Sequence, residues 1–223
     1  MRVCGKNAFN ELDLKTIRKV YIANGFKDKE IMEKIQKNKI RYVNMDQKSM
    51  DAMLKHNQGI IMDVDDYEYA TLDSINGDNL VVMLDHLEDP HNFGAIIRTC
   101  EACGVKNIII PKDRGVTVND TVVKTSTGAL SRVNIIMVTN LVSAINELKR
   151  DGYFVYSAEA DGEDFRKVDY NDKKLLVIGS EGNGLSKLVR NNSDVIISIP
   201  MKGEVNSLNA SVAAAILIYG IGE

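Results

Sequence analysis

Residues 175–186, Leu175-Leu-Val-Ile-Gly-Ser-Glu-Gly-Asn-Gly-Leu-Ser186, run an apolar strand straight into a glycine-rich loop with a helix beyond it. Glycines at 179, 182 and 184 allow a sharp turn and let backbone N–H groups approach a ligand closely. Their order, G-x-x-G-x-G, is not the dinucleotide fingerprint G-x-G-x-x-G, and the loop comes late in the chain instead of in a first βαβ unit. A phosphate-binding P-loop needs Lys followed by Ser or Thr after the last glycine, and Leu185 stands in the Lys position. What remains is a backbone-lined pocket that holds one carboxylate, Glu181.

Working outward, five more short apolar runs alternate with helical stretches: Leu80-Val-Val-Met-Leu, Asn107-Ile-Ile-Ile, Asn134-Ile-Ile-Met-Val, Tyr153-Phe-Val-Tyr and Val195-Ile-Ile-Ser-Ile. Nearly continuous Val/Ile runs separated by helices predict an α/β fold whose parallel sheet is buried on both faces. This unit is expected over residues 75–223.

Residues 1–74 read as a separate, smaller α/β unit. Arg18-Lys-Val-Tyr-Ile-Ala is a predicted strand, and Asp28 is placed to cap a helix with Ile31, Met32 and Ile35 on one side. Ile40-Arg-Tyr-Val and Gly59-Ile-Ile-Met-Asp-Val predict two more strands around a short helix at 51–54. Asp63 to Ser74 is acidic and without a period, which marks it as the linker.

The chain has 223 residues, 44% hydrophobic and 26% charged, and no apolar run approaches the roughly 18 to 20 residues of a membrane span. Its start lacks an apolar signal core, and three cysteines cannot make a disulfide framework, so a reducing cytoplasm is expected. The net charge of −3 gives no blanket electrostatic case for nucleic acid. Its distribution differs: residues 1–48 hold 12 Lys/Arg against 6 Asp/Glu, and the excess disappears afterwards. Either a polyanion-facing unit or a solvated Lys-rich surface accounts for that asymmetry.

Two further constellations carry chemistry. In Asp89-Pro-His-Asn-Phe-Gly94 and the helix that follows, Phe93, Ile96, Ile97 and Cys100 form a core face and Gly104 supplies the stop. Asn92 sits at the loop-to-helix junction in a natural capping position. Arg98 lies off the apolar face, with Gly94 and Ala102 one turn away leaving room beside its guanidinium. Cys100 and Cys103 have no second Cys or His pair to complete a zinc site and read as helix cysteines. His86 and His91 with Asp85, Glu88 and Asp89 lack metal-ligand spacing and read as an exposed acidic turn. The second constellation is the C-terminal helix, whose apolar face is predicted as Leu208, Val212, Ala215, Ile216 and Tyr219, with Ser207 as its cap. Its many alanines suit close contact with another helix, including one from a second subunit.

Together, Asp89-Pro-His-Asn-Phe-Gly with Arg98-Thr, Ile178-Gly-Ser-Glu-Gly with Gly184-Leu, and Ile199-Pro-Met with Ser207-Leu-Asn resemble the three signature motifs of the SpoU/TrmH branch of the SPOUT RNA ribose 2′-O-methyltransferases. Lys124-Thr-Ser-Thr-Gly-Ala-Leu130 is a fourth local match. Val3-Cys-Gly-Lys-Asn-Ala and Asn57-Gln-Gly-Ile-Ile resemble the small RNA-binding domain of RlmB-like members, which methylate a guanosine of large-subunit ribosomal RNA. Lys6 stands where the family often has an apolar residue, and Ala210 and Ala215 replace more usual Val and Gly.

The resemblance implies a SPOUT trefoil-knot methyltransferase domain, a homodimer, RNA as partner, S-adenosylmethionine as cofactor and no metal. By the same match, Arg98, Asn92, Glu181, Ser207 and Asn209 form the polar catalytic set. Thr127, Gly128, Gly179, Ile199, Met201 and Leu208 are the cofactor-binding positions. The family match makes Arg98 the base, yet a guanidinium with a pKa above about 12 is a poor one, and clamping the substrate phosphate is physically easier. Transfer RNA as substrate, or an RNA-binding module without catalysis, are the competing expectations.

Overall fold

The computed structural model describes residues 1–222. Among them no helix is long and apolar enough to cross a membrane.

The N-terminal unit is a four-stranded sheet in the order β1-β4-β2-β3. Its elements are β1 (Arg2–Cys4), α1 (Lys6–Glu11), β2 (Ile17–Ala23), α2 (Lys29–Lys37), β3 (Tyr42–Met45), α3 (Gln47–Met53) and β4 (Ile60–Val64). β4 pairs antiparallel with β1 and β2, and β2 pairs parallel with β3. Alternation assigns the faces: Val20, Ile22, Ile60 and Met62 pack against Phe9 of α1 and Ile31 and Ile35 of α2, while Ile61 and Cys4 meet Met50 of α3 on the other side. Asp28 caps α2 as expected, its carboxylate accepting from the Ile31 N–H at 3.3 Å. Asp46 caps α3, which therefore begins earlier than predicted. β1 and α1 have only 3 and 6 residues, too few for periodicity to reveal them.

The expected linker is not free chain. Asp63 and Val64 complete β4, and Ala70 pairs with Ile136 of the second sheet, its N–H donating to the Ile135 carbonyl at 2.9 Å. Tyr67 and Tyr69 stack edge-on at 5.1 Å, and the Tyr69 hydroxyl accepts from the Val118 N–H at 3.0 Å. Buried aromatic surface and paired backbone, invisible to a charge count, tie this acidic segment down.

The second unit comprises β5 (Leu80–Asp85), α4 (Pro90–Ala102), β6 (Asn107–Pro111), α5 (Asp120–Ser126), β7 (Asn134–Val138), α6 (Leu141–Arg150), β8 (Phe154–Asp164), β9 (Lys174–Gly179), α7 (Lys187–Asn191), β10 (Val195–Ser198) and α8 (Ala210–Ile221). Its six strands are all parallel, in the order β10-β8-β9-β5-β6-β7. Val82, Leu84, Ile108 and Ile110 face Phe93, Ile96, Ile97 and Leu217. Val81, Met83, Ile109 and Ile136 face Leu141, Ile145 and Leu148 on the other side. Helices cover both faces of the sheet, which is why its strands read as near-continuous apolar runs; β8 runs on past the expected Tyr153-Phe-Val-Tyr into a polar, partly exposed stretch at 159–164.

The two units meet where β1 lies along α5. The Cys4 N–H donates to Asp120 Oδ1 at 3.0 Å, and Lys124 Nζ donates to Asp120 Oδ2 at 2.7 Å and to Cys4 Sγ at 2.9 Å.

Candidate functional site

Strand order locates the site. From β5 the chain steps outward through β6 and β7, then crosses back to lay β8 beyond β9. The order reverses between β5 and β9, and in open parallel sheets ligands bind in the crevice at the carboxyl ends flanking such a reversal. Those ends are Asp85 and Gly179, which are register partners.

Asp85 is only 1% exposed. Its Oδ2 accepts from the Ser186 backbone N–H at 2.6 Å, and its Oδ1 lies 2.5 Å from His86 Nδ1. The glycine loop is thereby held at its far end, while Ser180 and Gly184 exchange backbone hydrogen bonds at 3.0 and 3.1 Å across its neck. Gly184 has φ +62°, and a Cβ on Gly179 would run into the Gly184 carbonyl and stand 2.7 Å from the Leu185 nitrogen. Glycine is required here by the close return of the backbone. The reading of Asp85 as part of an exposed acidic turn is therefore corrected: it ends a buried strand, and only its contact 101 residues away gives it a role.

The loop forms one wall of a cavity of about 530 Å³. Gly179, Ser180 and Glu181 face Ile199, Met201, Ser207 and Leu208 across it, with Ala213 and Leu217 of α8 behind. A lining of apolar side chains and glycine backbone with few polar groups suits a ligand that combines a flat aromatic ring, an apolar linker and polar ends.

Asn92 is buried, and its Nδ2 donates to Glu181 Oε1. It does not cap α4; Asp89 does, its carboxylate accepting from the His91 N–H at 2.9 Å, with Pro90 first in the helix. Ser207 lies in the exposed cavity wall. The cap of α8 is Asn209, whose Oδ1 accepts from the Ser211 N–H at 2.9 Å and the Ser211 hydroxyl at 2.6 Å.

The remaining expected residues stand elsewhere in the chain. Arg98 is exposed on α4 and does not line the cavity. The space expected beside it at Gly94 is filled by Thr125 of α5, which a Cβ at Gly94 would overlap. Thr127 and Gly128 have left-handed backbone, φ +46° and +79°. Gly128 borders a second cavity of about 370 Å³ between the two units, together with Glu11 and Ser131. Glu11 of α1 packs on Gly128, a Cβ there standing 3.3 Å from Glu11 Cγ. Burial pushes the Glu11 carboxyl up, while the Arg132 and Arg98 guanidiniums oppose that shift. Nothing in the N-terminal sequence marks Glu11 as a neighbour of Arg98.

On α8 the expected apolar face is turned outward. Ala210, Ala214, Leu217, Ile218 and Ile221 are buried, whereas Val212 and Tyr219 are 47% and 59% exposed. The helix is apolar on nearly every side, so periodicity could not choose between faces. Burial pushes the Cys100 thiol well up, and all three cysteines are free. Among the described residues no group of His, Cys, Asp or Glu is arranged to hold a metal ion.

Comparison with known proteins adds family evidence. The model of the SpoU rRNA Methylase family matches residues 79–219, and that of the RNA 2′-O ribose methyltransferase substrate-binding domain matches residues 2–70. A Staphylococcus haemolyticus protein assigned to the TrmH family tRNA/rRNA methyltransferases is 41% identical over 98% of this chain and 94% of its own. YacO of Bacillus subtilis, with the same assignment, is 42% identical at the same coverage. Among solved structures, the SpoU methyltransferase AviRb of Streptomyces viridochromogenes, in complex with AdoMet, superposes with TM-score 0.87. At 23% identity, over 100% of this chain and 89% of that one, it is a likeness of fold. The A. aeolicus TrmH/SpoU tRNA modifying enzyme has TM-score 0.60 and 33% identity over 65% of this chain and 74% of its own.

Proposed function

The chain belongs to the SpoU/TrmH family of RNA methyltransferases, and on that premise we propose that it methylates the ribose 2′-hydroxyl of a guanosine in 23S ribosomal RNA, with S-adenosylmethionine as donor. The observation that carries this reading is the cavity between the glycine loop and Ile199, Met201 and Leu208 at the reversal of strand order. Its volume and apolar, glycine-lined walls fit an adenosine and the aliphatic arm beyond its sulfur, and Glu181 and Ser207 supply polar ends. When bound, the cofactor supplies an electrophilic methyl group on a sulfonium.

The protein's part is alignment and proton handling. Gly179 to Gly184 and Leu208 hold the cofactor, and Asp85 keeps the loop in place through the Ser186 N–H. Asn92 fixes Glu181 at the cavity rim. We assign Arg98 to the substrate phosphate next to the reacting ribose, since a guanidinium keeps its proton and pairs well with phosphate. Thr127 and Gly128, proposed for the cofactor, and Asn209, proposed for the polar catalytic set, complete the site. No metal enters the proposed reaction.

Within one chain, Arg98 and the cavity are not brought together. This separation, with the outward apolar face of α8, supports a homodimer in which a second copy completes the site. The trefoil knot at the C-terminal end of the sheet and a reducing cytoplasm, suited to three free thiols, belong to the same proposal. The likeness of residues 79–219 to the SpoU rRNA Methylase family, with a substrate-binding domain ahead of it, supports ribosomal RNA as the first reading. The likeness of only the catalytic part to a tRNA modifying enzyme supports transfer RNA as the second reading.

The test is methyl transfer from labelled S-adenosylmethionine to total ribosomal RNA and to total transfer RNA, followed by nucleoside analysis. Label recovered as 2′-O-methylguanosine from 23S RNA is the expected result. Label in transfer RNA alone would establish the second reading, and cofactor and RNA binding without transfer would leave a silent binding module.

A further inference from the structure

The N-terminal sheet has two edges, and the second unit covers one of them. β1 is held along α5 through Cys4 and Asp120. At the opposite edge, β3 pairs only with β2, from Val20↔Tyr42 to Ala23↔Met45, so its outer backbone groups face water.

Positive charge is concentrated in the segment that leads into that open edge. Residues 34–45 carry Lys34, Lys37, Lys39 and Arg41 and no Asp or Glu. Lys34 is paired with Glu30 at 2.7 Å. Lys37, Lys39 and Arg41 are exposed, and among the described residues no carboxylate pairs with them. By contrast, Arg2 on the opposite edge strand and Arg18 on the inner strand β2 are paired with Asp63 and Asp65.

Charges next to an edge strand often do no more than block pairing with another chain. That role does not account for the residues beside them: Tyr42 and Val43 are 40% and 37% exposed. Unpaired cations leading up to an exposed aromatic ring match a single-stranded nucleic acid, whose phosphates take the charges and whose bases stack on the ring. A protein strand would find the open backbone but no use for three unpaired cations.

We infer that the β3 edge, through Lys37, Lys39, Arg41 and Tyr42, binds a single-stranded segment of the substrate RNA. This deepens the RNA-methyltransferase reading and rests on it for the identity of the RNA. The cations contact phosphates without regard to sequence, and Tyr42 stacks beneath one base.

The test measures affinity of the full chain for fragments of 23S RNA as salt is raised. Lys37→Glu, Lys39→Glu and Arg41→Glu combined should weaken binding at least tenfold at low salt. The salt dependence of log K should flatten by about two, at roughly 0.7 for each single-strand phosphate released. Replacing the three with Gln should act in the same direction. Tyr42→Ala should weaken binding roughly tenfold with the salt slope unchanged. S-adenosylmethionine affinity should match wild type throughout, showing that the fold is intact. Wild-type RNA affinity and salt slope in both triple variants would overturn the inference. So would self-association of the wild type that Asn44→Pro, which removes an outward-facing N–H of β3, abolishes without changing RNA affinity, since the edge would then pair protein strands. If these variants lose RNA binding while the wild type transfers no methyl group, the edge assignment stands and the activity reading fails.

Discussion

The buried carboxylate of Asp85 accepts a hydrogen bond from the Ser186 backbone N–H at 2.6 Å, joining the end of β5 to the far side of the glycine loop. Two segments 101 residues apart thereby share one anchor. Asp85→Ala should lower stability by about 1.5–3 kcal/mol, the usual range for losing a hydrogen bond to a charged group. It should also weaken S-adenosylmethionine binding, because the loop is one wall of the cavity. Denaturant unfolding and calorimetric titration measure the two effects; unchanged cofactor affinity would separate the anchor from the site.

Gly94 on α4 leaves room for Thr125 of α5, and a Cβ there would overlap the threonine hydroxyl. Gly94→Ala should destabilise the protein by about 1–3 kcal/mol, as overpacking does. Joining it to Thr125→Ser, which removes only a methyl group, should recover little, because the overlapping oxygen remains. Thermal unfolding of the single and double variants decides this.

Arg98 is exposed and away from the core, so Arg98→Ala should change stability by no more than about 0.5 kcal/mol. Methyl transfer should be abolished while cofactor binding persists. Wild-type turnover in the variant would remove Arg98 from the mechanism.

Val212 and Tyr219 lie on the outward face of α8, 47% and 59% exposed. Introducing Val212→Asp with Tyr219→Arg should leave the fold of each chain intact and shift the protein from dimer to monomer in sedimentation, with activity lost in parallel. A fully active wild-type monomer at micromolar concentration would be the contrary result.

Cys100 is buried with its thiol pushed up, while Cys103 is partly exposed. Burial raises both thiols, so access decides: a thiol reagent should modify Cys103 slowly and leave Cys100 unreacted until the protein unfolds. Chelators should leave methyl transfer unaffected. Activity lost on chelation and restored by a divalent ion would show that a metal takes part.

The local pattern of residues already determined a great deal. Six near-continuous apolar runs specified a parallel sheet covered on both faces, because a strand buried on each side leaves few positions, mostly at its ends, where a polar residue is tolerated. Phe93, Ile96, Ile97 and Cys100 marked the buried face of α4, and each is fully buried. Gly179 and Gly184 marked a sharp loop whose backbone returns on itself. The chemistry-bearing motifs were readable because glycine, proline and amide positions are constrained within a few residues of one another.

Tertiary structure decided whatever depended on distant segments. Periodicity could not orient α8, which is apolar all round; packing against α4 and the sheet chose Ala214, Leu217 and Ile218 as its buried face. Asp85 looked like part of an acidic turn until the chain returned Ser186 to it. Asn92 looked like a helix cap until Glu181 arrived from 89 residues away. Arg98 and the cavity, grouped by motif, are held apart in the single chain, and Glu11 is brought toward Arg98 from another unit. Sequence spacing reports neighbours along one element, whereas the order of strands in the sheet sets which loop ends meet, and the site forms where they do.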